Sequence, residues 1–141
     1  MKANELKVTD LMVGDWVMSF GAPHKIVGVR TDMLEPYIKT DMSDTWYEEG
    51  IEDLLEPIPL TPEILEKNGF EMFTYECDHS DVFVGIDDFV RISNYKIRTN
   101  NKWCVSVYND NVYEIAHCEL TYLHELQHLL KLCNIDFDWK V

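Results

Sequence analysis

The sequence predicts an α+β fold: a small β-barrel-like part at the N-terminus, a short helix, then an antiparallel sheet packed against a C-terminal helix. Three observations predict it. Short strand-like runs separated by turns fill residues 1–60. Polar residues alternate with aromatic and β-branched ones from about 70 to 120, and residues 122–133 repeat leucine at helical spacing. The expected division is 1–60 and 61–141, as two parts or one continuous domain.

Composition bounds the function. The chain of 141 residues is 46% hydrophobic and 12% aromatic, enough to bury a core and unlike a disordered acidic tail. Its formal net charge is −14, from 12 basic and 26 acidic residues. Such a charge opposes phosphate backbones and anionic membranes, so direct nucleic-acid or membrane binding is not expected, and a basic protein partner is favoured. Residues 1–7 lack the apolar core of a signal peptide, and no run reaches the ~18–20 apolar residues of a membrane span. Cys77, Cys104, Cys118 and Cys133 form no C-x-x-C pair, so buried thiols in a reducing cytoplasm are expected.

Within residues 1–60, 11–18 carry a Gly14-Asp15 turn entering a strand, 20–24 read as a loop, and 25–30 as a second strand. Residues 36–39 and 45–47 are further strand candidates. This spacing suits a small, strongly bent barrel of the SH3-like kind. The phrase Val13-Gly14-Asp15-Trp16-Val17 is similar to KOW-type translation and transcription modules, whose nucleic-acid surfaces are basic. Here no Lys or Arg lies between Lys39 and Lys67, an interval that holds nine acidic residues. Glu48, Glu49, Glu52 and Asp53 are its candidate interface for something basic.

Residues 56–60 (Glu-Pro-Ile-Pro-Leu) read as an extended linker. The helix after it has Thr61 as cap, Pro62 at its first position, Glu63 in its first turn and Gly69 at its end, with Phe70 packing back. Strand candidates follow at 71–77, 81–86, 89–97, 103–108 and 112–119, with turns at 99–101 and 109–111. Phe137 and Trp139 are expected to tuck under as a closing tail.

On the C-terminal helix, Leu123, Leu126, Leu129, Leu130, Leu132 and Cys133 share one side. His124, Gln127, His128 and Lys131 fall on the other, expected to be solvated. Thr121 is the expected N-cap, and Asn134 the left-handed residue that ends the helix. His124-Glu125-Leu126-Gln127-His128 matches the H-E-x-x-H pattern, in which two histidines hold zinc and the glutamate acts as base. A third ligand is required. The 13 residues after His128 contain neither Gly nor His, only Asp136 and Asp138 as carboxylates. The reading adopted is a chance match with no metal and no cofactor. The alternative makes His124 and His128 ligands and Glu125 the base, with Cys77, His79 or Asp81 as upstream donors.

Other constellations are weaker. Cys77, His79 and Asp81 would share one side of an extended segment, but a polar hairpin loop suits them better. Asp78, Asp81, Asp87 and Asp88 do not match a calcium loop. Nucleophile elbows, P-loops and dinucleotide fingerprints are absent from the sequence.

Four phrases together resemble a family of small uncharacterised proteins from gut anaerobic bacteria and their phages or mobile elements. They are Met1-Lys2-Ala3-Asn4-Glu5-Leu6, Val13-Gly14-Asp15-Trp16-Val17, the segment from Glu56 to Phe70, and Tyr122-Leu123-His124-Glu125-Leu126-Gln127. The resemblance spans nearly the whole chain and implies no activity or site residue. That family's closing phrase more often reads Y-V-H-Q-L-Q-N-L, which makes Glu125 and His128 departures from it. The function expected is a non-enzymatic binding or accessory protein acting through protein–protein contacts. The alternatives are the zinc hydrolase and an acidic DNA-mimicking inhibitor of a DNA-handling enzyme.

Overall fold

The computed structural model describes residues 11–19, 21–30, 37–41, 47–48, 55–75, 80–95, 102–109 and 113–141. Among them are two five-stranded antiparallel sheets and two helices, a mixed α+β arrangement.

The first sheet holds β1 (Trp16–Ser19), β2 (Ala22–Arg30), β3 (Tyr37–Thr40), β4 (Tyr47–Glu48) and β5 (Leu55–Pro57), in the order β4-β3-β2-β1-β5. β1 and β2 pair from Ser19↔Ala22, which leaves two residues for the turn. Gly21 takes the positive φ (81°) that this tight connection needs. The loop expected over 20–24 is therefore shorter, and Pro23 and His24 lie within β2. Pro23 sits opposite Met18, before the pairing of β2 with β3 begins at Ile26. A strand flanked on one side only tolerates the missing N–H.

One expectation for this region is corrected. Of the linker expected over 56–60, Glu56 and Pro57 belong with Leu55 to a strand, with Val17↔Pro57 and Ser19↔Leu55. It is an edge strand, which is why proline is admitted. No sheet closes among the described residues: β4 and β5 are the outer strands of the first, so what is described of the part expected as a barrel over 1–60 is a five-stranded sheet. Leu11, Val17, Ile26 and Leu55 are buried together with Val29 against them, each large side chain contributing roughly 1.5–3 kcal/mol.

Helix α1 (Pro62–Lys67) has the expected punctuation. Thr61 Oγ1 accepts from Ile64 N at 3.3 Å, and Pro62 occupies the first turn. At its end Gly69 has φ 85°, its N–H reaches Glu66 O, and Phe70 N reaches Leu65 O at 3.0 Å. This is the Schellman pattern, with Leu65 and Phe70 both buried.

The second sheet is a meander of β6 (Glu71–Tyr75), β7 (Ser80–Gly85), β8 (Val90–Tyr95), β9 (Trp103–Asn109) and β10 (Tyr113–Leu120), in the order β10-β9-β8-β7-β6. Its register aligns Met72, Phe83, Ile92, Val105 and Cys118 on one face. Phe83, Ile92 and Val105 are fully buried there. The opposite row runs Phe73, Val82, Ser93, Cys104 and Glu119. Residues 76–79, 99–101 and 110–112, where turns and the Cys77/His79 pair were expected, lie outside the described residues. The closing tail is where it was expected: Trp139 is buried, stacked on Phe70 at 5.9 Å and edge-on to Phe137 at 4.9 Å. Asn68 holds it by donating to Lys140 O and accepting from Lys140 N.

Helix α2 spans Leu123–Leu132. Its end is a second Schellman pattern: Asn134 is left-handed (φ 58°), its N–H reaches Lys131 O, and Ile135 N reaches Leu130 O. The chain forms two compact units. One contains the described residues up to Pro59 with Tyr122–His128; the other contains Leu60–Thr121 with Leu129–Val141. The first turns of α2 thus group with the N-terminal strands, rather than with the second sheet as expected.

Candidate functional site

The H-E-x-x-H segment meets the Gly-Asp turn. That turn is built from Met12 to Asp15: Asp15 N donates to Met12 O, and Gly14 has φ 98°, as a type II turn requires at its third residue. Gly14 N and Asp15 O are both bonded to Ile26, fixing the turn to β2. The Asp15 carboxylate folds back, and its Oδ2 accepts from Met12 N at 2.8 Å.

Helix α2 supplies the other half. Gln127 Nε2 donates to Gly14 O at 2.8 Å, and its Oε1 accepts from Trp16 N at 3.0 Å. One side-chain amide therefore serves the backbone on both sides of Asp15, as a neighbouring strand would. His128 Nε2 lies 2.6 Å from Asp15 Oδ2. Two bare acceptors do not approach so closely, so a proton lies between them. Asp15 is wholly buried, and its Oδ1 has no hydrogen-bond partner among the described residues. Leu123 N donates to Ile58 O, and Pro59 bridges to Tyr122, which seats the start of the helix.

The polar side of α2 is therefore not solvated as the sequence implied. His124 and Gln127 are each only 6% exposed. The His124 ring stacks on Tyr122 (6.0 Å, 12°) and meets His128 edge-on at 5.7 Å. Leu132, expected on the buried side, is 84% exposed. Helical periodicity treats every polar residue as outward-facing, and this helix breaks that rule because distant backbone groups meet the Gln127 amide and the Asp15 carboxylate meets the His128 imidazole.

Glu125 has a local task. The helix begins at Leu123, one residue later than a Thr121 cap requires, and Glu125 Oε1 accepts from Tyr122 N at 2.9 Å. That is the reach-back of the third helical residue to the cap in a capping box. The would-be base is thus an exposed capping group, and the would-be ligand nitrogen of His128 faces Asp15. Among the described residues, no group of three or more His, Cys, Asp or Glu could hold a metal. The upstream donors Cys77 and His79 lie outside the described residues, and Asp81 Oδ1 accepts from Thr74 Oγ1.

The acidic candidates are only partly placed. Glu48 lies in β4 opposite Tyr37, while Glu49, Glu52 and Asp53 lie outside the described residues. Cys104, Cys118 and Cys133 are in no disulfide, and burial pushes the Cys133 thiol up from its ordinary value.

Sequence reading missed Asp15 and Gln127 as a joined pair of anchors. The Gly14-Asp15 turn was visible, but nothing local says that a helix more than a hundred residues later closes it. It also missed Ser106, His117 and Glu114. Ser106 Oγ and Glu114 Oε1 lie 2.8 Å and 3.2 Å from the same His117 nitrogen, Nδ1. A nucleophilic relay needs serine and carboxylate on opposite ring nitrogens, so this cluster is a surface hydrogen-bond set. Compared with family models, curated proteins and solved structures, the chain matches none.

Proposed function

We propose that this protein is a non-enzymatic accessory protein, cytoplasmic and associated with phages or mobile elements, that acts through protein–protein contacts. The observation that supports it best is the engagement of the one catalytic-looking motif inside the fold. Gln127 holds Gly14 and Trp16, His128 holds Asp15, and Glu125 caps its own helix. The charge of −14 favours a basic protein over nucleic acid as partner. No helix among the described residues is long and apolar enough to cross a membrane. The resemblance to a mobile-element family supports the setting. We read the first sheet as part of an SH3-like barrel, because β1 pairs with both β2 and β5 and so brings the first and last strands of the sheet side by side.

The test is capture. Immobilised full-length protein is mixed with lysate of its source cells at several salt concentrations. A saturable partner that is retained at moderate salt and competed by free protein is expected. No specific partner at any salt would overturn the reading.

A further inference from the structure

The two outer strands of the second sheet differ in how they are protected. Natural sheets guard their edges with bulges, charges or proline, because an open strand pairs with any chain that offers another. β10 carries such guards: a bulge between Glu114 and Ala116, and Glu114, His117 and Glu119 along its length. β6 (Glu-Met-Phe-Thr-Tyr) carries Glu71 alone. It pairs with β7 in unbroken register, without bulge, proline or cation, and has no strand beyond it among the described residues. Glu71, Met72, Phe73 and Thr74 are all exposed, with Met72 at 49% and Phe73 at 50%. These two apolar side chains stand on opposite faces. A strand added beside β6 would cover both, and on the Met72 side it would extend the row that buries Phe83, Ile92 and Val105.

Charge says which chain fits. Glu71 opens the strand. Asp87 and Asp88 are exposed in the β7–β8 turn, which begins two residues past Val84, the partner of Glu71. A second copy of this chain would bring the same acidic charge to the edge. Resting on the protein-contact reading above, we propose that β6 accepts an extended basic segment of a partner protein as a sixth strand. Main-chain bonds would supply affinity in this mode, and side chains the selectivity. The segment carries two consecutive apolar residues against Phe73 and Met72, followed by Lys or Arg against Glu71.

The probe is a labelled peptide, Lys-Val-Val-Lys-Val-Val-Lys, titrated into the full-length protein at low and physiological salt. Its counterpart with Glu for Lys is the control. Binding of the basic peptide, roughly tenfold or more tighter than the acidic one, is expected, with slowed amide exchange confined to 71–75. Phe73→Lys should abolish binding. Ile115→Lys makes the same charge change at an exposed site on β10 and should leave it intact. Equal loss in both variants, protection elsewhere, or no binding would overturn the proposal, and the exchange pattern decides even if Phe73→Lys folds poorly. If a lysate partner is still retained by wild type and Phe73→Lys alike, the edge is wrong and the protein-contact reading stands. If neither peptide nor partner binds, both fall.

Discussion

His128 Nε2 lies 2.6 Å from Asp15 Oδ2, across 113 positions of sequence, and the carboxylate it meets is wholly buried. Removing one partner of such a pair leaves an uncompensated buried group, which costs about 3–5 kcal/mol when the pair is fully enclosed. His128 is a quarter exposed, so water recovers part of that loss. His128→Ala is expected to destabilise the protein by about 2–4 kcal/mol, read as a lower urea midpoint at unchanged slope. In a double-mutant cycle with Asp15→Asn, non-additivity is expected; strictly additive effects would show that the two groups are not coupled.

Gln127 acts independently of charge. Gln127→Ala removes the bonds that the amide makes to Gly14 C=O and Trp16 N–H, both part-buried, at up to about 1–3 kcal/mol each. Gln127→Glu keeps an acceptor for Trp16 but turns a carboxylate oxygen toward Gly14 O, so it is expected to be no better than alanine. Faster exchange of the Trp16 amide in the alanine variant is the direct measure.

Protein purified without a histidine tag is expected to carry no stoichiometric zinc, and His128→Ala the same. One zinc per chain in wild type that is lost in the variant would restore the hydrolase reading and require a third ligand outside the described residues.

Gly85 packs against an aromatic ring. A methyl group there would lie 2.6 Å from Phe70 Cγ, well inside contact distance. Phe70 is buried and stacked on Trp139, so it has little room to yield. Gly85→Ala is expected to cost at least ~1–3 kcal/mol and to alter tryptophan fluorescence. An unchanged melting temperature would show that the ring moves freely.

Cys133 is held protonated by burial, its thiol pushed up from the ordinary value. Iodoacetamide labelling of Cys133 should be slower than in unfolded chain at mildly alkaline pH and accelerate as pH rises, since the thiolate is the nucleophile. The sign for stability follows. The folded state favours the protonated thiol, so this contribution is complete below the unfolded value and lost as pH rises through the folded one.

Much of the architecture was legible because it obeys local rules. Thr61, Pro62, Gly69 and Phe70 mark the two ends of α1 through short-range hydrogen bonds and one left-handed residue. Asn134 ends α2 for the same reason. The alternation in 71–120 marked all five strands of the second sheet to within a few residues. β5 was hidden, because Pro57 at its end and Pro59 beyond it read as linker until β1 is seen to pair with Leu55–Pro57. The site was legible only as parts: a Gly-Asp turn and an H-E-x-x-H helix, with no sign that they meet.

The sequence by itself determined where elements start, stop and alternate, because caps, turns and side-chain periodicity depend on neighbours a few positions away. Only the tertiary structure decided what Gln127 and His128 do. Burial of a polar face becomes favourable only when its hydrogen bonds are met, and the groups that meet those of Gln127 and His128 lie on Gly14, Asp15 and Trp16, beyond the reach of any local rule.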